Sequence, residues 1–114
     1  MFGYDRRITF EKGFPDGTSN TLLIIETAND PGHWAYGGPA TVRAFDPDAA
    51  PHIGPGRPFG GFHNGGLVLF GPRSHICVVA MADTSVRSFT NATAPEVLEA
   101  LATVGGKEPL PANW

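Results

Sequence analysis

The chain has 114 residues, of which 41% are hydrophobic and 17% charged, and its formal net charge is −3. This length supports one hydrophobic core, so we assign residues 1–114 to a single domain. The 15 glycines and 11 prolines argue against a helical bundle and predict many turns and long ordered loops. The arginines are scattered and form no basic face, so we expect no nucleic-acid partner.

The first strong signal along the chain is a turn followed by an apolar run. Residues 1–14 fit either a short helix or a strand, whereas Leu22–Glu26 predicts a strand buried on both faces. In front of that strand, Asp16 and Asn20 are expected to cap turns with their own side chains. Their alternation with Thr18 also resembles the start of a calcium-binding loop, which we consider the weaker interpretation.

Residues 28–62 read as a long loop, because prolines recur through the segment and interrupt any long helix or strand. Five aromatic residues are spread along it and are expected to fix it onto the core as an ordered cover: Trp34, Tyr36, Phe45, Phe59 and Phe62.

The second half of the chain predicts a meander and one helix. Gly66–Phe70 and His75–Ala82 form a predicted hairpin, and Ser85–Thr90 follows as a third strand. A helix over residues 93–104 is predicted to begin with a capping box of Thr93 and Glu96.

These elements predict an α+β fold. It consists of an antiparallel β-sheet of four to five strands, one C-terminal helix packed on it and the long Pro/Gly-rich loop.

The pattern of metal-ligating residues does not predict a metal site. The histidines have no helical zinc spacing and no cysteine pair beside them, and they stand at His33, His52, His63 and His75. Cys77, the single cysteine, lies inside an apolar strand and is expected to be buried and unreactive.

No sequence motif indicates catalysis. The chain has no Gly-x-Ser-x-Gly elbow, and the glycines of residues 54–61 are interrupted by prolines and precede no helix. We therefore expect no enzyme activity and no cofactor. No apolar run is long enough to cross a membrane, and we expect a soluble chain.

Three segments, "DGTSNTLLIIE", "GRPFGGFHNGG" and "VVAMADTSVRSFTNATAPEVLEALATVGG", stand in this order between residues 14 and 107. Together they resemble the C-terminal half of the planctomycete-type prepilin-like proteins, a family with a domain of unknown function to which a solute-binding label is also attached. The residues that match the family motif, and that the resemblance implies form a structural corner, are Asp16, Gly17, Thr18, Ser19, Asn20, Thr21, Asp83, Ser85, Val86 and Arg87.

The chain departs from the family pattern at its second motif. Asp83-Thr84 stands where the family has Asp-Gly, and threonine does not readily adopt the positive φ that glycine allows in a tight turn. The family's histidine matches neither His63 nor His75 in spacing, so its counterpart stays open between the two. We also expect Arg87 to reach a carboxylate such as Asp16 or Glu26.

The resemblance implies a non-enzymatic pilin-like or pseudopilin-like head domain of the bacterial cell envelope or secretion apparatus. Its partners would be like subunits or other envelope proteins, and its membrane contact would run through an N-terminal helix that this chain lacks.

Two other functions remain open. A solute- or carbohydrate-binding module would use the aromatic-rich loop, with possible ligand-binding residues Trp34, Tyr36, His63 and His75. An uncharacterised hydrolase-type enzyme would need His63 or His75 close to Asp83 in a cleft.

Overall fold

The computed structural model describes residues 9–65, 74–112 and 114. The strands are β1 (Leu22–Ile25), β2 (Asn64–Gly65), β3 (Ser74–Met81) and β4 (Val86–Thr90), and the helix is α1 (Pro95–Leu101). Four short 3₁₀ turns precede β2, at Thr18–Asn20, Trp34–Tyr36, Gly38–Ala40 and Pro47–Ala49.

The eight-residue strand β3 is the centre of the sheet. It pairs antiparallel with β4 on one side, and with β1 on the other side at its C-terminal end. The two residues of β2 pair with the first residues of β3. The α+β class, the antiparallel sheet and the single helix are thus confirmed for the described part of the chain.

The predicted number of four to five strands is not confirmed. Three antiparallel strands form the body of the sheet, and β2 adds only a two-residue pairing to it. The predicted strand Gly66–Phe70 and the turn after it, up to Arg73, lie outside the described residues.

The core lies on one face of the sheet, beneath α1. Alternate residues of β3 point into it, namely Cys77, Val79 and Met81, and α1 contributes Val97, Leu98, Ala100 and Leu101. This alternation is what a strand with one covered face produces, since successive side chains point to opposite sides.

The prediction that the first strand is buried on both faces is wrong. Leu22 pairs with Met81 and is buried, whereas Ile24 pairs with Ala80 and is 65% exposed. A register shift between Leu22 and Ile24 marks a bulge in β1, and β1 lies at the edge of the described sheet. A continuous apolar run at a sheet edge can therefore leave part of its side chains uncovered.

The helix is shorter than the predicted residues 93–104, and the predicted capping box is absent. Ala94 is the N-cap residue and makes no side-chain capping bond. The Thr93 hydroxyl instead accepts a hydrogen bond from the Thr90 amide at 3.1 Å, which closes the turn after β4. Because this hydroxyl is already engaged there, α1 begins only at Pro95, whose missing N–H costs nothing at a helix start.

The long loop covers the core with only part of its length. Phe59 is buried, and the Phe45 ring lies 4.4 Å from it, centroid to centroid. Trp34, Tyr36 and Phe62 are 82%, 88% and 89% exposed, so the prediction that all five aromatics fix the loop to the core is wrong for these three. The prolines break the segment into short turns, and Phe45 and Phe59 are the loop aromatics that pack with the core.

Candidate functional site

The two halves of the predicted structural corner meet at the C-terminal end of β3. The Ala82 amide donates to the Thr21 carbonyl at 2.8 Å, and the Asp83 amide donates to the Thr18 carbonyl at 3.2 Å. Thr21 is fully buried, and its hydroxyl donates to the Gly17 carbonyl at 3.0 Å. The hydroxyl of a buried threonine thus holds the turn in front of β1, and the corner belongs to the fold.

Gly17 and its neighbours set the direction in which the chain enters β1. Gly17 has φ +90°, a conformation that side chains rarely adopt, and the 3₁₀ turn Thr18–Asn20 follows it. The Asn20 amide group donates to the Asp16 carbonyl at 3.0 Å across this turn. The Asp16 carboxylate accepts from the Lys107 amide at 3.1 Å, which ties the corner to the segment that follows α1.

The turn between β3 and β4 is stabilised by the Asp83 carboxylate. It accepts from the Ser85 hydroxyl at 2.6 Å and from the Ser85 amide at 2.9 Å. These bonds, with a further hydrogen bond from Ser19, favour the ionised form and lower the pKa of Asp83. Asp83 is therefore held as a carboxylate, bound to residues of both motifs.

Arg87 does not contact the carboxylate partners expected from the sequence. Its guanidinium carbon lies 4.3 Å from the centroid of the Trp114 ring, in a cation–π arrangement. Glu26 follows β1 and accepts from the Val78 amide of β3 at 3.0 Å, whereas Arg87 lies in β4 on the other side of β3. Strand β3 therefore lies between Arg87 and Glu26. The order of the strands in the sheet could not be inferred from the sequence.

His63 and His75 stand on neighbouring segments but form no catalytic pair with Asp83. His63 Nε2 lies 3.3 Å from a Glu26 carboxylate oxygen, and the His63 carbonyl accepts from the Ile76 amide. His75 is near the start of β3 and Asp83 follows its end, and the strand from His75 to Met81 alone spans about 20 Å. The arrangement that the enzyme hypothesis needs is not present.

Trp34 and Tyr36 lie together with a third ring that sequence reasoning missed. The His33 ring centroid is 6.1 Å from that of Trp34 and 5.0 Å from that of Tyr36. The sequence signal for His33 is its place next to Trp34 and three residues before Tyr36. We call these three residues the ring cluster. It does not include His63 or His75.

The described residues contain no group of three or more acidic, histidine or cysteine side chains that could hold a metal ion. Cys77 is buried and its Sγ donates to the Glu26 carbonyl at 3.4 Å. Burial raises the pKa of this thiol to about 11, so it is protonated and unreactive at neutral pH.

A further pair that sequence reasoning missed joins a buried histidine to a partly buried glutamate. His52 is 1% exposed, and its Nε2 lies 2.7 Å from a Glu99 carboxylate oxygen of α1. The Phe45 ring meets the His52 ring edge-on at 5.1 Å. This pair joins the long loop to the helix and has no counterpart in a sequence motif.

The face of the sheet opposite the core carries an apolar row. Pairing places Ile24, Ala80 and Val86 side by side on β1, β3 and β4, because directly opposed residues share a face. Ile24 is 65% exposed and Val86 is 68% exposed. We call these three residues the open-face row.

Comparison with family models, with curated proteins and with solved structures found no match for this chain. The resemblance to the prepilin-like family therefore stays a prediction. Among the described residues, no helix is both long and apolar enough to cross a membrane.

Proposed function

We propose that the chain is a non-enzymatic, pilin-like structural module of the bacterial cell envelope that assembles with like subunits. The observation that carries the proposal is the open-face row of Ile24, Ala80 and Val86. Clustered apolar side chains exposed on a sheet face favour association with another protein surface, since burying them removes apolar area from water.

The corner supports a structural role for the family motif. The Asp83 carboxylate is bound by Ser85, and the backbones of Thr18 and Thr21 are bound by the residues at the end of β3. Hydrogen bonds of this kind tie the two segments of the motif to each other and stabilise the end of the sheet. The motif thus stabilises the fold, and the exposed face of the sheet is the surface that associates with another subunit.

Association is tested by sedimentation velocity on the full chain and on the variants Ile24→Lys and Val86→Lys. We expect the wild-type protein to sediment as an oligomer and each variant to shift to the monomer, because a buried lysine ammonium in the interface is costly. Phe62→Lys is the control, since Phe62 is 89% exposed and lies outside the open-face row. A wild-type protein that stays monomeric at millimolar concentration contradicts self-assembly, as does an equal effect of Phe62→Lys.

The envelope location has a separate test. The genomic reading frame upstream of the Met1 codon is expected to encode about twenty apolar residues behind a short basic leader. A stop codon and ribosome-binding site directly before Met1 would remove the pilin-like role, while an interaction through the open-face row could persist.

A further inference from the structure

The ring cluster of His33, Trp34 and Tyr36 is exposed far more than aromatic side chains usually are. Trp34 is 82% exposed and Tyr36 is 88% exposed. Each such ring offers a large apolar face whose removal from water is favourable. In the free protein this apolar surface stays in contact with water. A ligand that covers the rings would therefore gain the free energy of burying it.

The ring cluster sits on a turn that is fixed by hydrogen bonds. The His33 Nδ1 accepts from the Ala35 amide at 3.2 Å, and the Tyr36 amide donates to the His33 carbonyl at 3.0 Å. At the start of the loop, the Arg43 guanidinium donates to the Asp30 carbonyl at 2.8 Å and to the Asn29 carbonyl. A turn whose backbone is already held lowers the entropy cost of binding, because the ligand has to order only the side chains.

The arrangement of the rings indicates the chemistry of the ligand. The His33 ring plane is tilted by 20° from the Trp34 plane and by 39° from the Tyr36 plane, and its centroid lies 6.1 Å and 5.0 Å from theirs. Three exposed rings thus lie close together on one turn. Trp34 and Tyr36 also carry an indole N–H and a phenol O–H at their edges, which can hydrogen-bond a polar ligand.

We propose that the ring cluster is a carbohydrate-binding site that takes a neutral oligosaccharide. A sugar ring has an apolar C–H face and a rim of hydroxyl groups, so it can stack on an aromatic face while its rim bonds to the polar edges of neighbouring rings. This site lies outside the open-face row and does not depend on the proposed assembly.

Tryptophan fluorescence provides the test, because Trp34 and Trp114 are the only tryptophans of the chain. The Trp114→Phe variant leaves Trp34 as the single tryptophan, which is excited at a wavelength that tyrosine does not absorb. It is titrated with soluble tetrasaccharides of β-linked glucose and of N-acetylglucosamine. We expect a saturable change of Trp34 emission with at least one of them, and about tenfold weaker binding after Tyr36→Ala, which removes one stacking face.

Phe62→Ala is the matched control, since Phe62 is 89% exposed and lies outside the ring cluster. Binding should be unchanged in this variant. The proposal is overturned by three results: no saturable change with either tetrasaccharide, undiminished binding after Tyr36→Ala, or equal weakening by Phe62→Ala. Monomeric sedimentation of the wild-type protein would contradict the assembly role and leave this site intact.

Discussion

A single residue of the turn between β3 and β4 is held in an unfavourable backbone conformation. Thr84 has φ +71°, and its amide donates to the Met81 carbonyl at 3.0 Å, which closes the turn. A β-branched residue at positive φ is a genuine outlier, because its side chain crowds the backbone. The turn is kept in place by the bonds of Asp83 to Ser85.

We expect Thr84→Gly to increase the free energy of unfolding by about 1 kcal/mol, since glycine adopts positive φ without the steric penalty. Urea denaturation followed by circular dichroism measures the change. Thr41→Gly is the control, because Thr41 has an ordinary φ of −122° and is also exposed. The same substitution there should be neutral or destabilising. Destabilisation by Thr84→Gly would show that the turn is not strained at this position.

At the residue scale, sequence reasoning succeeded where the chemistry is local. The mismatch between threonine and a turn that favours glycine could be read from Asp83-Thr84, because positive φ is a property of one residue. The partner of Arg87 could not be predicted from the sequence, because it depends on which strands β3 separates and on where Trp114 lies. A contact between residues far apart in sequence can be predicted only once the strand order is known.

At the scale of the elements, the pair of His52 and Glu99 joins the loop to α1. His52 Nε2 bonds Glu99 at 2.7 Å, and His52 Nδ1 is buried without a hydrogen-bond partner in the described structure. Removal of the carboxylate would leave both ring nitrogens without a protein partner. An unsatisfied buried polar group costs about 1–3 kcal/mol.

We therefore expect Glu99→Ala to lower the free energy of unfolding by about 1–3 kcal/mol, measured by urea denaturation. Glu96→Ala is the control on the same helix, because Glu96 is exposed and has no ion pair in the described structure. Its effect should stay within about 0.5 kcal/mol, as for most surface substitutions. Equal effects of the two variants would mean that the contact between Glu99 and His52 contributes nothing to the free energy of unfolding.

The long strand and the helix were predictable because their apolar residues stand out in the chain. The apolar run within His75–Ala82, bounded by turn residues, and the helical spacing from Val97 onward give β3 and α1 within a few residues. The bulge in β1 and the late start of α1 were not predictable, since both depend on contacts outside the element. The engagement of the Thr93 hydroxyl with Thr90 is such a contact.

At the scale of the whole molecule, the segment predicted as one cover divides into two parts. From Phe45 to Phe59 the chain packs on the core and buries His52 and Ile53. Residues 29–39 are exposed throughout. Composition alone could not separate them, because prolines and aromatic residues occur in both parts. What distinguishes them is contact with the sheet, and this contact should determine how each part opens.

Hydrogen exchange measured by mass spectrometry tests the division. The Gly54 amide donates to the Phe59 carbonyl and the Phe59 amide to the His52 carbonyl, both at 3.1 Å, beside buried side chains. We expect these amides to exchange slowly, on a scale approaching that of β3, because exposing them requires the core to open. Peptides within residues 29–39 should exchange faster than these amides, since the segment is exposed and its turn can open without opening the core. Glu99→Ala should speed exchange around His52 and leave residues 29–39 unchanged, because only the packed part of the loop is joined to α1. Equal protection of both parts would contradict this division and restore the view of a single continuous cover.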